Sequence, residues 1–267
     1  MSSTDFTEIS ARYERDSLIQ KSAAGKLFSL LDIRGNDNVL DLGCGTGNIS
    51  RQIKAMTTGS VIGVDPSAGM VRAAVALQNG SDIAFEVNSA EGLAYQNAFT
   101  VIFCNSAFQW FLDPAKALAN CYAALRTGGR MGIQAPAKKA YCPNFLKAID
   151  AVAQDPRTAK SFVGFKPPWL FLDTAEEYAA LFKQAGFAVP FAKIETVATM
   201  HSPDEVMTIF ESGAAAGYLN QEFYALPVDE AYSKAFREIV KKVFVNQAKV
   251  KGQVELIFNR IYLIAVK

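Results

Sequence analysis

The chain is poor in the residues that carry the commonest catalytic and metal chemistry. It has a single histidine, His201, among 267 residues, so a Ser/His or Cys/His mechanism would have to pass through that one ring. His201 lies in the helix-start signature Met200-His201-Ser202-Pro203-Asp204-Glu205 and reads as a residue flanking a cap. The four cysteines, Cys44, Cys104, Cys121 and Cys142, show no CxxC spacing and no neighbouring histidine, which argues against zinc and against a disulfide framework. No metal is expected. An excess of one charge is missing too: 27 Lys and Arg against 26 Asp and Glu leave a net +1, so no global field draws the protein to nucleic acid or to an anionic membrane. The longest apolar runs, Val101–Leu112 and Leu256–Val266, are too short to span a bilayer and contain Asn105, Gln109, Asn259 and Arg260. Met1–Ser10 is polar and lacks the apolar core of a signal peptide. A cytoplasmic location is expected, and any partner must be read from a local site.

What is present is enough apolar residue, 50% of the chain, for a large core. Short apolar runs bounded by turn residues alternate with helical stretches through the first half, the pattern of an α/β fold with a parallel sheet and crossover helices. Strands are expected at Asn38–Leu42, Ser60–Asp65, Ile83–Val87, Phe99–Asn105 and Arg130–Ala135, and helices at Ser17–Leu31, from Asn48, from Ser67 and after Asp113-Pro114. Two glycines within Leu125–Gly129 are expected to stop the last of these. Beyond Pro136, Ala137–Leu172 reads as an aromatic-rich insertion with one helix near Asn144–Ala153. Capping boxes at Thr174 and Ser202 open helices, the second running to about Ala216; another helix is expected near Asp229–Val245, and strands at Phe187–Ala198 and Val254–Val266. The aromatics Tyr141, Phe165, Trp169 and Tyr218 suit either a pocket lining or a plain core.

The informative segment is Val39-Leu40-Asp41-Leu42-Gly43-Cys44-Gly45-Thr46-Gly47, a strand ending near an acid, then three alternating glycines, then a helix. Glycines let the chain turn sharply and bring backbone against a ligand. The dinucleotide pattern GxGxxG fails, because Asn48 stands three residues beyond Gly45. Asp41 would repel a pyrophosphate but attract a cofactor with cationic groups, such as S-adenosylmethionine with its ammonium and sulfonium. At the end of the second strand Asp65 places another carboxylate on the same sheet edge, where it can accept both hydroxyls of a ribose.

With these residues the sequence resembles the class I S-adenosylmethionine-dependent methyltransferases. The resemblance implies a Rossmann-like, seven-stranded, mostly parallel sheet with an antiparallel last strand, helices on both faces, and a small, mainly helical cap built from the insertions. It divides the chain into a core at 1–136 with an N-terminal lid helix, cap insertions at 137–172 and 200–253, and core segments at 173–199 and 254–267. It implies that Gly43, Gly45 and Gly47 form the cofactor loop, Asp65 the ribose ligand, Met70 the residue packing on adenine, and Ser89 and Ala90 the segment beside the adenine. The family usually has Asp at the position of Ser89, and Thr127 replaces the proline of its Leu-x-Pro-Gly-Gly turn.

Asn105-Ser106-Ala107-Phe108-Gln109-Trp110 resembles the fourth-strand loop of the trans-aconitate and biotin-pathway malonyl-carrier-protein methyltransferases, which methylate carboxylates. The segment Phe6–Tyr13, with Gln20 after it, resembles the leading helix of the biotin-pathway group, which closes over the cofactor with the position of Tyr13; the closing strand from Arg260 resembles the trans-aconitate group. Gln20 and Trp110, whose side-chain N–H groups can donate, are the candidates for orienting an acceptor carboxylate; a helix-surface glutamine and a core aromatic are their plainer readings. The loop lacks the Asn-Pro-Pro-Tyr pattern of nucleobase methylation, so a small-molecule or carrier-bound acid is expected as partner, with no nucleic acid and no membrane. Lys241-Lys242 and Lys249-Val250-Lys251 suit either a solvated face or an acidic carrier. The expected reaction is carboxylate O-methylation yielding S-adenosylhomocysteine; the alternatives are C- or N-methylation of another metabolite, or a non-catalytic sensor.

Overall fold

The computed structural model describes residues 18–78, 80–249 and 251–267, with side chains from Ala24 onward. Tyr13 and the side chain of Gln20 therefore lie outside the described residues, as does Val250. The strands are β1 (Val39–Leu42), β2 (Val61–Asp65), β3 (Ala84–Val87), β4 (Phe99–Asn105), β5 (Leu125–Pro136), β6 (Ala188–His201) and β7 (Val254–Val266). The helices are α1 (Leu18–Leu31), α2 (Asn48–Lys54), α3 (Ala68–Ala76), α4 (Pro114–Ala124), α5 (Pro143–Gln154), α6 (Ala159–Phe162), α7 (Ala175–Gln184), α8 (Pro203–Glu211), α9 (Ala214–Tyr218) and α10 (Glu230–Gln247).

The strands form one sheet in the order β3-β2-β1-β4-β5-β7-β6. The pairs from β3 through β5 are parallel, whereas β7 runs antiparallel to β5 with Gln134 facing Tyr262 and Pro136 facing Arg260. This is the Rossmann-like sheet expected for an α/β chain. From β1 the chain winds first to β2 and later to β4, so the order reverses between β1 and β4. A crevice at the carboxyl ends of the strands belongs at such a reversal.

Side-chain alternation sorts the core into two clusters. Leu40, Leu42, Val64, Ile102, Cys104, Ile133 and Leu263 pack with Leu118 and Cys121 of α4 and with Tyr178 and Phe182 of α7. Val39, Val61, Val101, Phe103 and Ile264, the residues of opposite parity, pack with Leu27 and Leu31 of α1. Helices thus cover both faces of the sheet. The start signals act as read: Ser67 accepts from the Met70 amide, Asp113 from the Lys116 amide with Pro114 in the first turn, and Thr174/Glu177 and Ser202/Glu205 form reciprocal capping boxes.

Two local expectations are corrected. The two glycines do not stop α4: the helix ends at Ala124, and Leu125 is already extended and paired with Phe99, its side chain buried in the core. Pairing resumes at Arg130 opposite Val101, and the residues between loop out through Gly128, whose φ of +75° suits glycine. The helix opened by Ser202 does not reach Ala216, because Ser212 bonds back to the Ile209 carbonyl and Gly213 leaves helical geometry before α9 begins.

The chain divides into two compact units. The first runs to Lys139 and adds Trp169–Glu195 and Arg260–Lys267; the second comprises Ala140–Pro168 and Thr196–Asn259. These limits differ from those expected at four places: residues 137–139 and 169–172 belong with the first unit, where Leu170 and Leu172 pack on the core, and 196–199 and 254–259 with the second, where Phe258 packs on Phe145. The second unit is built on aromatic contacts, with Phe145 against Phe210 (5.1 Å), Phe244 (5.7 Å) and Phe258 (5.5 Å). Two of its tyrosines settle their hydroxyls internally: Tyr224 donates to the Tyr218 carbonyl at 2.6 Å and lies 3.0 Å from the Tyr232 hydroxyl. Among the described residues no helix is long and apolar enough to cross a membrane, and no group of three His, Cys, Asp or Glu gathers as for a metal.

Candidate active site

The turn after β1 is held by β2. The amides of Gly43 and Cys44 both donate to the Val64 carbonyl, at 2.8 and 3.0 Å, and the Gly45 amide donates to Asp65 Oδ2 at 2.9 Å. Gly43, Gly45 and Gly47 all have left-handed φ, +79°, +54° and +76°, a conformation that costs side-chain-bearing residues energy. At two of them the protein itself also forbids a side chain. A Cβ on Gly43 would stand 2.2 Å from the Ala107 methyl, and one on Gly47 would stand 2.7 Å from the Phe85 ring.

Two carboxylates lie buried at this turn. Asp41 is 2% exposed and accepts a 2.6 Å hydrogen bond from Ser50 on α2. Burial pushes its pKa up to about 7, the Ser50 bond opposing and the charge of Asp65 reinforcing the rise. Asp65, 8% exposed, accepts from the amides of Gly45 and Ser67, both at 2.9 Å, which only partly offset a burial that pushes it up to about 6. Among the described residues no Lys or Arg pairs with either acid. Two buried acids without a cation are costly once ionised, and a ligand bearing a positive group relieves that cost. Each oxygen of Asp65 carries one bond from the backbone and retains lone-pair capacity for a ligand hydroxyl.

The remaining residues expected at the site gather on the same sheet edge. Met70 is buried at the start of α3 beside its cap. The Asn88 amide donates to the Asp65 carbonyl, and Ser89 and Ala90 follow in a turn whose carbonyls at Ala90 and Glu91 accept from Asn120 of α4. Asn105 ends β4, and Ser106 beyond it has φ +58°, a strained value for serine that turns the chain toward Gln109 and Trp110. Trp110 packs edge-on against Trp169 with ring centres 5.6 Å apart. Of the four aromatics suggested as a pocket lining, Trp169 therefore joins Trp110, whereas Tyr141, Phe165 and Tyr218 lie in the aromatic cluster of the second unit.

Sequence reasoning missed three residues here. Gln109 is buried, donates to the Ser106 carbonyl at 2.9 Å, and leaves Oε1 without a donor among the described residues. Gln134 is fully buried on β5; with its amide nitrogen turned toward β4 it donates to Asn105 Oδ1 at 2.9 Å and Ser106 Oγ at 3.1 Å, while its oxygen accepts from Arg260 Nη1 at 3.1 Å. Arg260 itself is only 5% exposed. A polar residue inside an otherwise apolar strand was the available signal for both Gln134 and Arg260.

Residues 39–129, the stretch that contains this turn and both acids, match the family model for a methyltransferase domain. The chain is 30% identical over 129 residues to a malonyl-[acyl-carrier protein] O-methyltransferase of Bacillus cereus, covering 46% of this chain and 48% of that protein. This chain thus spans about half the length of that relative. It is 28% identical over 255 residues to a trans-aconitate 2-methyltransferase of Rhodopseudomonas palustris, covering 91% of this chain and 93% of that protein. In three dimensions it is similar to an S-adenosylmethionine-dependent methyltransferase of Mesorhizobium loti, with a TM-score of 0.54 at 16% identity over 91% of this chain and 96% of that one, a likeness of fold.

Proposed function

We propose that the protein is an S-adenosylmethionine-dependent methyltransferase that esterifies a carboxylate of a small or carrier-bound organic acid. The observation that carries this reading is the pair of buried carboxylates, Asp41 and Asp65, at the reversal of strand order, with no Lys or Arg paired to them among the described residues. In this reading Asp41 faces the cationic end of the donor and Asp65 accepts from the ribose hydroxyls. Gly43, Gly45 and Gly47 shape the turn, Met70, Ser89 and Ala90 flank the adenine, Asn105 closes the crevice from β4, and Tyr13 covers the donor. Bound there, the donor supplies a methyl group on a sulfonium, which a carboxylate oxygen takes while the carbon–sulfur bond breaks, leaving a neutral ester and S-adenosylhomocysteine.

No general base is assigned, because a carboxylate is ionised at neutral pH. The protein's part is to hold donor and acceptor in line and to exclude water, with Trp110 and Gln20 orienting the acceptor. The names of the two relatives, one acting on malonyl-carrier protein and one on trans-aconitate, support an acid acceptor. The test is a melting-temperature series with S-adenosylmethionine, S-adenosylhomocysteine and NAD, followed by a donor-consumption assay over di- and tricarboxylic acids, acyl-carrier-protein thioesters and amines. Stabilisation by the first two ligands alone, with turnover of acids, is expected. Stabilisation by NAD alone removes the reading, turnover only with amines moves it to N-methylation, and binding without turnover leaves a sensor.

A further inference from the structure

The loop that leaves β4 and carries Gln109 and Trp110 turns at Ser106, whose φ of +58° costs a residue with a side chain energy. Two glutamines hold all three polar groups of that serine. Its amide donates to the Gln134 carbonyl at 2.7 Å, its hydroxyl meets the Gln134 side chain at 3.1 Å, and its carbonyl accepts from Gln109 Nε2 at 2.9 Å. Gln134 is wholly buried, pairs in register with Asn105, and donates to Asn105 Oδ1 at 2.9 Å. The opposite orientation of its amide would set oxygen against that oxygen and N–H against the Arg260 guanidinium. The residue after the turn meets the glycine turn directly, since a Cβ on Gly43 would stand 2.2 Å from the Ala107 methyl. One short helical turn, Phe108–Trp110, then brings Trp110 against Trp169, and the Gln109 carbonyl accepts from the Leu170 amide at 2.9 Å.

We propose that Gln134 is the positioning residue of this loop: by holding Ser106 in its left-handed turn it fixes where Ala107 meets the donor turn and where Trp110 faces the methyl acceptor. The inference rests on the methyltransferase reading above. Methyl transfer in line needs the acceptor placed closely against the donor, and a small displacement of a positioning group slows it steeply. Gln134 is suited to that task because β5 lies between β4 and β7, so its side chain stays with the sheet when the loop moves. A buried amide has a desolvation cost that an apolar residue in its place would avoid, and here its hydrogen bonds go to the one strained residue of the loop. Phe108, fully buried against Phe111, Tyr178 and Phe182, also anchors the loop. That anchor fixes the loop's depth but not the sense of the turn, because a serine released from its hydrogen bonds favours right-handed or extended backbone. Gln134 thus acts through Ser106 and touches neither donor nor acceptor.

The chain has two tryptophans, Trp110 and Trp169, so labelling with 5-fluorotryptophan gives a fluorine spectrum of this loop and its neighbour alone, assigned with Trp169→Phe. The unaltered protein should show one sharp Trp110 line. Gln134→Leu should broaden or split it, and adding Ser106→Gly should sharpen it again, because glycine takes the left-handed turn without a clamp. Calorimetric affinity for S-adenosylhomocysteine should change less than threefold in each. With an acceptor that the unaltered protein methylates, Gln134→Leu should lower kcat tenfold or more while KM changes by less, and the double variant should recover at least a third of the lost rate. A purely structural role would lower the melting temperature and leave the Trp110 line and the kcat of the folded protein unchanged. That result, or a double variant no better than Gln134→Leu, overturns the proposal and leaves the methyltransferase reading intact. If Gln134→Leu fails to fold, Ser106→Ala and Ser106→Gly decide: both lose the hydroxyl, only the alanine should broaden the line, and equal sharpness overturns the proposal. Failure of the unaltered protein to bind S-adenosylhomocysteine, or to methylate any acceptor, removes both.

Discussion

Two groups of buried polar side chains, one in each unit, contrast in how they are satisfied. In the second, Tyr224 and Tyr232 pack against phenylalanines and their hydroxyls bond within the unit, as does that of Thr158, which donates to the Val152 carbonyl at 2.5 Å. In the first, the edge beside β1, β2 and β4 buries Asp41, Asp65 and the Gln109 Oε1 with their demand only partly met, and burial holds both acids above the usual carboxylate range. Polar burial that closes on itself contributes to folding. Polar burial left open costs stability in the free protein, and a complementary ligand returns that free energy as affinity.

Substitutions separate the two cases, starting with the largest effect. Phe145→Ala removes a ring packed against Phe210, Phe244, Phe258 and Tyr141 and should cost about 3–5 kcal/mol of stability, with the donor affinity of the folded protein unchanged; chemical denaturation and calorimetry read the two quantities. Asp65→Ala should weaken S-adenosylhomocysteine binding by about 1.5–3 kcal/mol, since donors on the ligand lose a charged acceptor. Unchanged affinity in Asp65→Ala would leave this carboxylate as nothing more than a brace for the Gly45 and Ser67 amides. Gly43→Ala drives a methyl group into Ala107 and should cost about 1–3 kcal/mol of stability. Ala107→Gly in the same chain should restore the part due to the clash and leave the part due to positive φ. Smallest, Tyr224→Phe should cost about 0.5–1.5 kcal/mol of stability with no change in donor binding, and a loss of binding there would blur the contrast between the units.

The same contrast explains what the sequence discloses. Asp41 and the glycine turn are nearly contiguous and Asp65 ends the very next strand, so their chemistry is visible in order along the chain; the limits of β4 and β7 follow from apolar runs with clear ends. The Gln134–Arg260 contact joins residues on strands far apart in sequence, and nothing local to either one announces the other. Ser50 looks like any early helical serine until the fold sets it against Asp41. The early start of β5 was hidden because the glycines of the Thr127-Gly128-Gly129 turn mimic a helix stop, whereas the burial of Leu125 decides where the helix ends.

The most direct test of the open, acid-lined crevice is the pH dependence of donor affinity in the unaltered protein and in Asp41→Asn. With Asp41 titrating near 7 and Asp65 near 6, both lose their proton between about pH 5 and 8, and only the ionised forms attract a cation. Calorimetric affinity for S-adenosylmethionine should therefore rise across that window and level off above it, and Asp41→Asn should bind tenfold or more weakly at pH 8 with a shallower rise. The sign for stability is the reverse: a carboxyl whose pKa is raised by folding costs the native state stability as pH climbs from the unfolded value near 4 to the folded one. Asp41→Asn without ligand should thus melt at least as high as the unaltered protein at pH 8. An affinity independent of pH, or an Asp41→Asn protein that melts lower yet binds the donor as well as before, would contradict the account.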